Sequence, residues 1–213
     1  MLLELSVRHL LLATWEVDPE QVARNLPAGL EPALAGDRAL VSLAILRNAG
    51  GRLGRLPVPP FSQLNVRTYV AHGDDRGVFF LQLRAGVVGM GGALFGAPVR
   101  PARITVGEGS ATAPGLGVSF RYRRAGRPDE LPSLDPPLGA HEVGYFEAAG
   151  LRRLVAVHRP CNWERAELVA PPRFDLLLAL GFGVGQPRFT LYAERTDFRA
   201  ELPPSKVTPT TRT

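Results

Sequence analysis

Asn65, Arg67 and Tyr69 stand two residues apart in the run Gln63-Leu64-Asn65-Val66-Arg67-Thr68-Tyr69-Val70. In an extended chain that spacing puts all three side chains on one face. A guanidinium stays charged at any physiological pH, and on a buried face it must be met by anions or by several acceptors. Read as the lining of a β-barrel, the three residues form a polar wall on which Arg67 anchors a small anion. Read as the outside of a sheet, they are ordinary solvated surface, and the pattern leaves both readings open. Gln63, one alternation earlier, joins Asn65, Arg67 and Tyr69 as a candidate for ligand binding.

Proton transfer has its own candidates. His158, Glu108 and Tyr69 carry groups that could act as acid or base, and His9 is a further imidazole. Glu142, Glu147 and Glu164 add carboxylates, but no spacing among the four glutamates defines a catalytic pair. Four histidines without ligand spacing point to no metal site. Cys161 is the only cysteine, so no intrachain disulfide and no cysteine-held zinc can form, and a lone thiol is most simply an inert small hydrophobe. The glycines of 87–95 (VVGMGGALF) lack the G-x-G-x-x-G spacing after a parallel strand. No nucleotide and no other cofactor is expected.

These side chains need strands to position them. Residues 64–70 alternate apolar and polar, 72–77 carry the glycines and aspartates of a reversal, and 78–83 (VFFLQL) form a second strand, so a hairpin is expected. Residues 5–17 read as a first strand, followed by Asp18 as a cap and Pro19 as the first position of a short helix over 20–25. The unbroken apolar run 39–46 (ALVSLAIL) predicts a strand buried on both faces. Residues 52–60 are a glycine- and proline-rich loop, and 87–95 a short helix or an irregular apolar loop. Further strands are expected over 103–106 and 117–124, then a loop over 126–139 and a helical turn over 142–149. Residues 151–158 and 163–169 look like a second hairpin around Arg159-Pro160-Cys161-Asn162, before a short helix at 174–180 and a last strand at 189–202. Many short strands and few helices predict a mainly β fold, an antiparallel closed barrel in one domain over 1–204, with a disordered polar tail over 205–213.

Composition narrows the partners. The chain of 213 residues is 45% hydrophobic and 21% charged, enough for a substantial core. Its formal charge is +5, yet Lys206 is the only lysine and the arginines are dispersed. The densest groups, Arg121, Arg123, Arg124 and Arg127, then Arg152 and Arg153, are not interleaved with an aromatic series, so nucleic acid is not an expected partner. No apolar run is long enough for a membrane helix, and the opening Met1-Leu2-Leu3-Glu4-Leu5 lacks a basic leader segment. A cytoplasmic protein with a small anionic metabolite as its partner is the expectation, and self-association stays open.

The run from Gln63 to Val70, followed by Gly77-Val78-Phe79-Phe80-Leu81, resembles the YqjF-like family of unknown function, a branch of the acetoacetate-decarboxylase-like superfamily. Trp15, Leu26-Pro27-Ala28-Gly29-Leu30 and His158-Arg159-Pro160-Cys161-Asn162-Trp163 are similar to further landmarks of that family in the same order. The resemblance implies an antiparallel, cone-like β-barrel around a cavity, and a shared fold does not by itself carry a reaction. The decarboxylases use two successive lysines, one forming a Schiff base and the other lowering its pKa. The similar place here is Gly96-Ala97-Pro98-Val99-Arg100, with Val99 where the nucleophilic lysine falls and Arg100 where its neighbour falls. The resemblance thus adds Arg100 to the ligand-binding candidates while the amine is missing. Gln63 stands where relatives are expected to carry a glutamate, and an amide cannot exchange a proton in the working range. A binding module, a lyase (decarboxylase, aldolase or dehydratase) acting without a covalent amine, and a purely structural barrel filled with side chains all remain open.

Overall fold

Strands dominate wherever apolar and β-branched residues run uninterrupted. The structure, a computed structural model, describes residues 1–131, 134–137 and 140–207. The long strand β1 (Leu2–Val17) ends where Asp18 accepts a hydrogen bond from the Glu20 amide at 2.8 Å and Pro19 opens α1 (Pro19–Ala23). Two short pairs, β2 (Glu31–Pro32) and β3 (Leu34–Ala35), lead into β4 (Arg38–Leu53), which contains the apolar run. Every residue from 39 to 45 is buried, as its continuous pattern predicts. Beyond β5 (Leu56–Val58), the expected hairpin is formed by β6 (Phe61–His72) and β7 (Asp75–Ala85), which pair antiparallel and turn at Gly73 with φ +58°. The run 87–95 is a 3-10 helix, Val87–Phe95.

The second half of the chain is shorter in its elements: β8 (Val99–Pro101), β9 (Thr105–Val106), β10 (Ser110–Ala113), β11 (Val118–Arg124), β12 (Val143–Glu147), β13 (Leu151–His158), β14 (Glu164–Leu168) and β15 (Arg173–Phe174). Helix α2 (Asp175–Ala179), β16 (Phe189–Glu201) and β17 (Ser205–Lys206) complete it. Pairing passes from β1 to β4, β6, β7, β12, β13 and β16 and from β16 back to β1. A smaller patch of β9, β10, β11, β14 and β15 lies beside this circuit and joins it where β14 pairs with β16.

Several expectations are corrected. The sheet is not wholly antiparallel: β7 pairs parallel with β12 at Val78–Phe79 and with β8 at 83–85, and among the described residues no strand pairs with 80–82 on that side. Gly77 permits the β12 approach, since a Cβ there would lie 2.5 Å from the Val143 carbonyl oxygen. Residues 142–149 were expected to form a helical turn, but 143–147 are strand β12, because Tyr145 and Phe146 are both buried, on opposite faces of an extended chain. β13 and β14 are not a hairpin; each pairs with a different stretch of β16, which is long enough to accommodate both. Ser205–Lys206, placed by sequence in the polar tail, pair with Arg152 and Arg153 of β13, and residues 208–213 of that tail lie outside the described residues.

The circuit buries two faces. On one, Trp15, Leu11, Val41, Leu43, Leu64 and Val66 pack against Phe120, Leu177 and Phe182 from the smaller patch and α2. On the other, Leu10, Leu12, Leu40, Ala44 and Tyr69 form a core with Val78 of β7 and with Leu191 and Ala193 of β16, packed by Phe80 and Phe198. β6 and β16 share no hydrogen bonds, so their side chains meet across the circuit. Val155 and Val157, on the opposite face of β13, are exposed. No helix among the described residues is long and apolar enough to cross a membrane.

Candidate functional site

Asn65, Arg67 and Tyr69 do share a face, and it is the one that carries the Leu12, Ala44 and Tyr69 core. Arg67 is in register with Ser42 and Asn65 with Ala44 on β4, while Ser42 is in register with Thr14 and Ala44 with Leu12 on β1. Alternation then brings Gln63, opposite Leu46, to the same wall. A bulge in the β6–β7 pairing between Val66 and Arg67 sets Arg67 opposite Phe80.

The polar groups of this wall are ordered by one another. Thr14 Oγ1 and Ser42 Oγ are 2.8 Å apart, and Ser42 Oγ and the Tyr69 hydroxyl 3.0 Å, a buried chain of three hydroxyls across β1, β4 and β6. Three hydroxyl protons serve two hydrogen bonds, so one of the three protons is left to donate elsewhere. The Arg67 guanidinium lies 5.9 Å from the Tyr69 ring centre. The His141 ring is tilted against that of Tyr69, their centres 5.0 Å apart. His158, at the end of β13, packs edge-on against Phe198.

Arg67 is the charge in this group. Burial, then the Arg67 and His158 charges, hold His141 down at about 4, and burial followed by Arg67 holds His158 at about 4, so both imidazoles are neutral at pH 7. Burial also pushes the Cys161 thiol up, against the pull of Thr196 and Arg67, leaving it an inert protonated group. The Arg67 Nε, the Asn65 Oδ1, the His141 Nδ1 and, further along β4 on the same face, the Asn48 Nδ2 are buried without a hydrogen-bond partner. None of the ion pairs among the described residues includes Arg67.

Other candidates lie elsewhere. Glu108 is exposed and ion-paired at 2.9 Å with Arg124, which also holds Glu164 and Glu194. Arg100 is exposed on β8 in register with Arg84, itself opposite Leu64, and so belongs to the reverse face of β6. His9 sits at a β1 irregularity with φ +52° and bonds the Tyr192 hydroxyl at 2.8 Å through Nδ1. Thr14, Ser42, His141 and Asn48 were missed in the sequence. A lone hydroxyl inside each buried apolar run was the available signal for Thr14 and Ser42; His141, in a proline-dense loop, offered none.

Val99, where the resemblance places a Schiff-base lysine, is in register with Leu83, which is in register with Asn65. The position therefore belongs to the right wall and holds the wrong side chain for imine chemistry. The only lysine, Lys206, is exposed on β17, and the Met1 amine donates to the Leu202 carbonyl at 2.6 Å. Borohydride reduction in the presence of acetoacetate or pyruvate is expected to leave the intact mass unchanged; an adduct of the substrate's mass would show an amine reaching the site.

Two clefts open on the surface. One of about 420 Å³ is bordered by Glu4, Arg52, Arg159, Asp197 and Arg199 and touches His158 and Phe198. The other, of about 600 Å³, lies by Trp15, Arg38 and Arg188. Their charged residues are already paired with one another in large part: Arg52 and Arg199 both hold Glu4, and Arg159 holds Asp197. Two arginines among the described residues keep a buried Nε without a partner, Arg84 on the reverse face of β6 and Arg67 on the wall, and only Arg67 has buried, unpartnered Asn65 and His141 atoms near it.

A mainly β fold of this kind is that of the acetoacetate-decarboxylase-like proteins. An acetoacetate decarboxylase-like enzyme from Sphingomonas wittichii RW1 superposes with a TM-score of 0.67 at 14% identity, covering 98% of this chain and 94% of that one. Acetoacetate decarboxylase from Legionella pneumophila subsp. pneumophila str. Philadelphia 1 gives 0.67 at 13% identity, over 97% and 86%. The enduracididine biosynthesis enzyme MppR, complexed with the condensation product of pyruvate and imidazole 4-carboxaldehyde, gives 0.53 at 18% identity, over 93% and 86%. At these identities the likeness is one of fold. Residues 4–197 match DUF2071, Uncharacterized conserved protein (COG2071), and the chain belongs to that family, in agreement with the YqjF-like resemblance of its sequence. No curated protein sequence matches the chain.

Proposed function

We propose that the protein binds a small organic anion inside a closed, cone-like barrel, with Arg67 as the charged anchor and Gln63, Asn65 and Tyr69 on the same wall. One observation carries the reading: Arg67 presents a buried Nε without a partner, in a core where no described carboxylate is paired with it. Burying a guanidinium without compensation costs several kcal/mol, on the order of what a bound carboxylate returns through charge-assisted hydrogen bonds. The neutral imidazoles of His141 and His158 leave the single positive charge of Arg67 to be matched by a single negative one.

The neighbours in fold support a small-molecule site, since one is an acetoacetate decarboxylase, another an acetoacetate decarboxylase-like enzyme, and MppR holds a condensation product of pyruvate and imidazole 4-carboxaldehyde. A second reading, lyase chemistry on a keto acid without a covalent amine, is favoured by the Tyr69 hydroxyl, which ends the Thr14–Ser42 chain beside Arg67 and, when Ser42 donates to it, has its own proton free for a bound substrate. Native mass spectrometry of freshly purified protein distinguishes the outcomes. A retained organic acid, released on denaturation, is the expected result, and loss of a keto acid with formation of its decarboxylated or dehydrated product would move the assignment to the lyase. Protein that neither retains nor takes up any carboxylate at millimolar concentration would defeat the binding reading.

A further inference from the structure

We infer that the anion is a hydroxy acid, discriminated from the matching keto acid and amino acid by Asn65; the inference rests on the reading of Arg67 as the anchor. The orphaned polar atoms around the anchor are not all of one kind. Arg67 Nε is a donor, as a carboxylate requires, but Asn65 Oδ1 is an acceptor, buried and equally without a partner. The two residues are two positions apart on one face of β6, roughly 7 Å along the strand, within reach of the two ends of one small molecule. A carboxylate and a ketone can only accept hydrogen bonds, so a keto acid on Arg67 is met by Asn65 only after its amide turns end for end, whereas Oδ1 as it stands calls for a donor. A hydroxyl on the ligand's carbon chain donates to it.

An ammonium group would also donate, yet it brings a second positive charge beside a cation that already lacks a carboxylate. Like charges there repel with little screening, and the free energy gained at Asn65 is lost against Arg67. The remaining orphan, His141 Nδ1, is compatible with either end of the ligand, because a neutral imidazole presents a donor or an acceptor according to its tautomer. The discrimination therefore falls on the acceptor of Asn65 together with the sign of the charge at Arg67. The wall itself is built for a ligand that is an anion at one end and a neutral donor at the other.

Isothermal titration with two matched series tests this: lactate, pyruvate and alanine, then 3-hydroxybutyrate, acetoacetate and 3-aminobutyrate. In at least one series the hydroxy acid is expected to bind about tenfold or more tighter than the keto acid, and the amino acid weakest. In Asn65→Leu, which keeps the side-chain volume and removes the acceptor, keto-acid affinity should hold while the hydroxy-acid preference falls to near unity. Keto acid binding as tightly as hydroxy acid in wild type, or a preference that survives Asn65→Leu, overturns the inference and leaves Arg67 as an anchor. No binding by any carboxylate overturns the anchor itself, and the inference with it.

Discussion

Arg67→Met is expected to lower carboxylate affinity by about a hundredfold or more while the protein keeps its fold, because truncating a buried charged contact to a ligand costs roughly 2–5 kcal/mol. Methionine fills the volume of the arginine stem and asks for no counter-charge. The effect on stability separates this role from a structural one. Removing half of a buried ion pair strands its partner and costs about 3–5 kcal/mol, but Arg67 has no described carboxylate partner to strand. Unliganded Arg67→Met should therefore melt within about 1 kcal/mol of wild type, or above it, since a half-buried guanidinium with an unpartnered Nε has gone. Melts of both proteins with and without a panel of small carboxylates provide the measurement. A mutant that melts and binds like wild type removes Arg67 from the site, and one that loses several kcal/mol unliganded reassigns it to the framework.

Stability should fall steeply with acid between pH 6.5 and 4. His141 and His158 titrate at about 4 in the folded protein against an ordinary value of 6.5. Across that window the unfolded chain binds protons that the native state refuses, so unfolding free energy rises with pH and levels off above 6.5. For His141 alone the loss at pH 5 is about 2 kcal/mol, and His158 adds to it in the same sense. Urea titrations at pH 5, 6 and 7.5 read the slope, and His141→Phe should flatten it by removing one of the two groups. A bound anion beside Arg67 offsets part of the repulsion that keeps these rings neutral, so ligand affinity should rise as pH falls toward 5, with proton uptake on binding. Stability independent of pH over the window would mean that the imidazoles reach solvent.

The sequence made the wall legible and left its partners hidden. Alternation around Asn65, Arg67 and Tyr69 is a local signal that survives folding because β6 is a single extended strand, and the apolar run of 39–46 announced the strand beside it. Whether that face looked inward depends on β1, β4 and β16, up to about 130 residues away, and no pattern in the 64–70 run encodes it. The hairpin expected at 151–169 failed for a related reason: each strand is well formed locally, while the choice of partner belongs to β16. The helical turn expected at 142–149 failed because a short apolar segment fits either period. Glu108 and Arg100 illustrate the other limit, since residue type proposes a role that only an address in the fold can grant.

The broken edge of β7 gives the wall a preferred place to yield. β12 holds 78–79 and β8 holds 83–85, and the stretch between them, opposite the bulge at Arg67, has no described strand on its outer side. The circuit has a second such gap, on β16 between the stretches held by β13 and β14. At Phe80, Leu81 and Gln82 there is a seam, and parting it needs little more than a shift of side chains, with the Phe80 ring beneath Gly144 among the first to move. The amides bordering that seam would trade their hydrogens for deuterium ahead of their neighbours along β6.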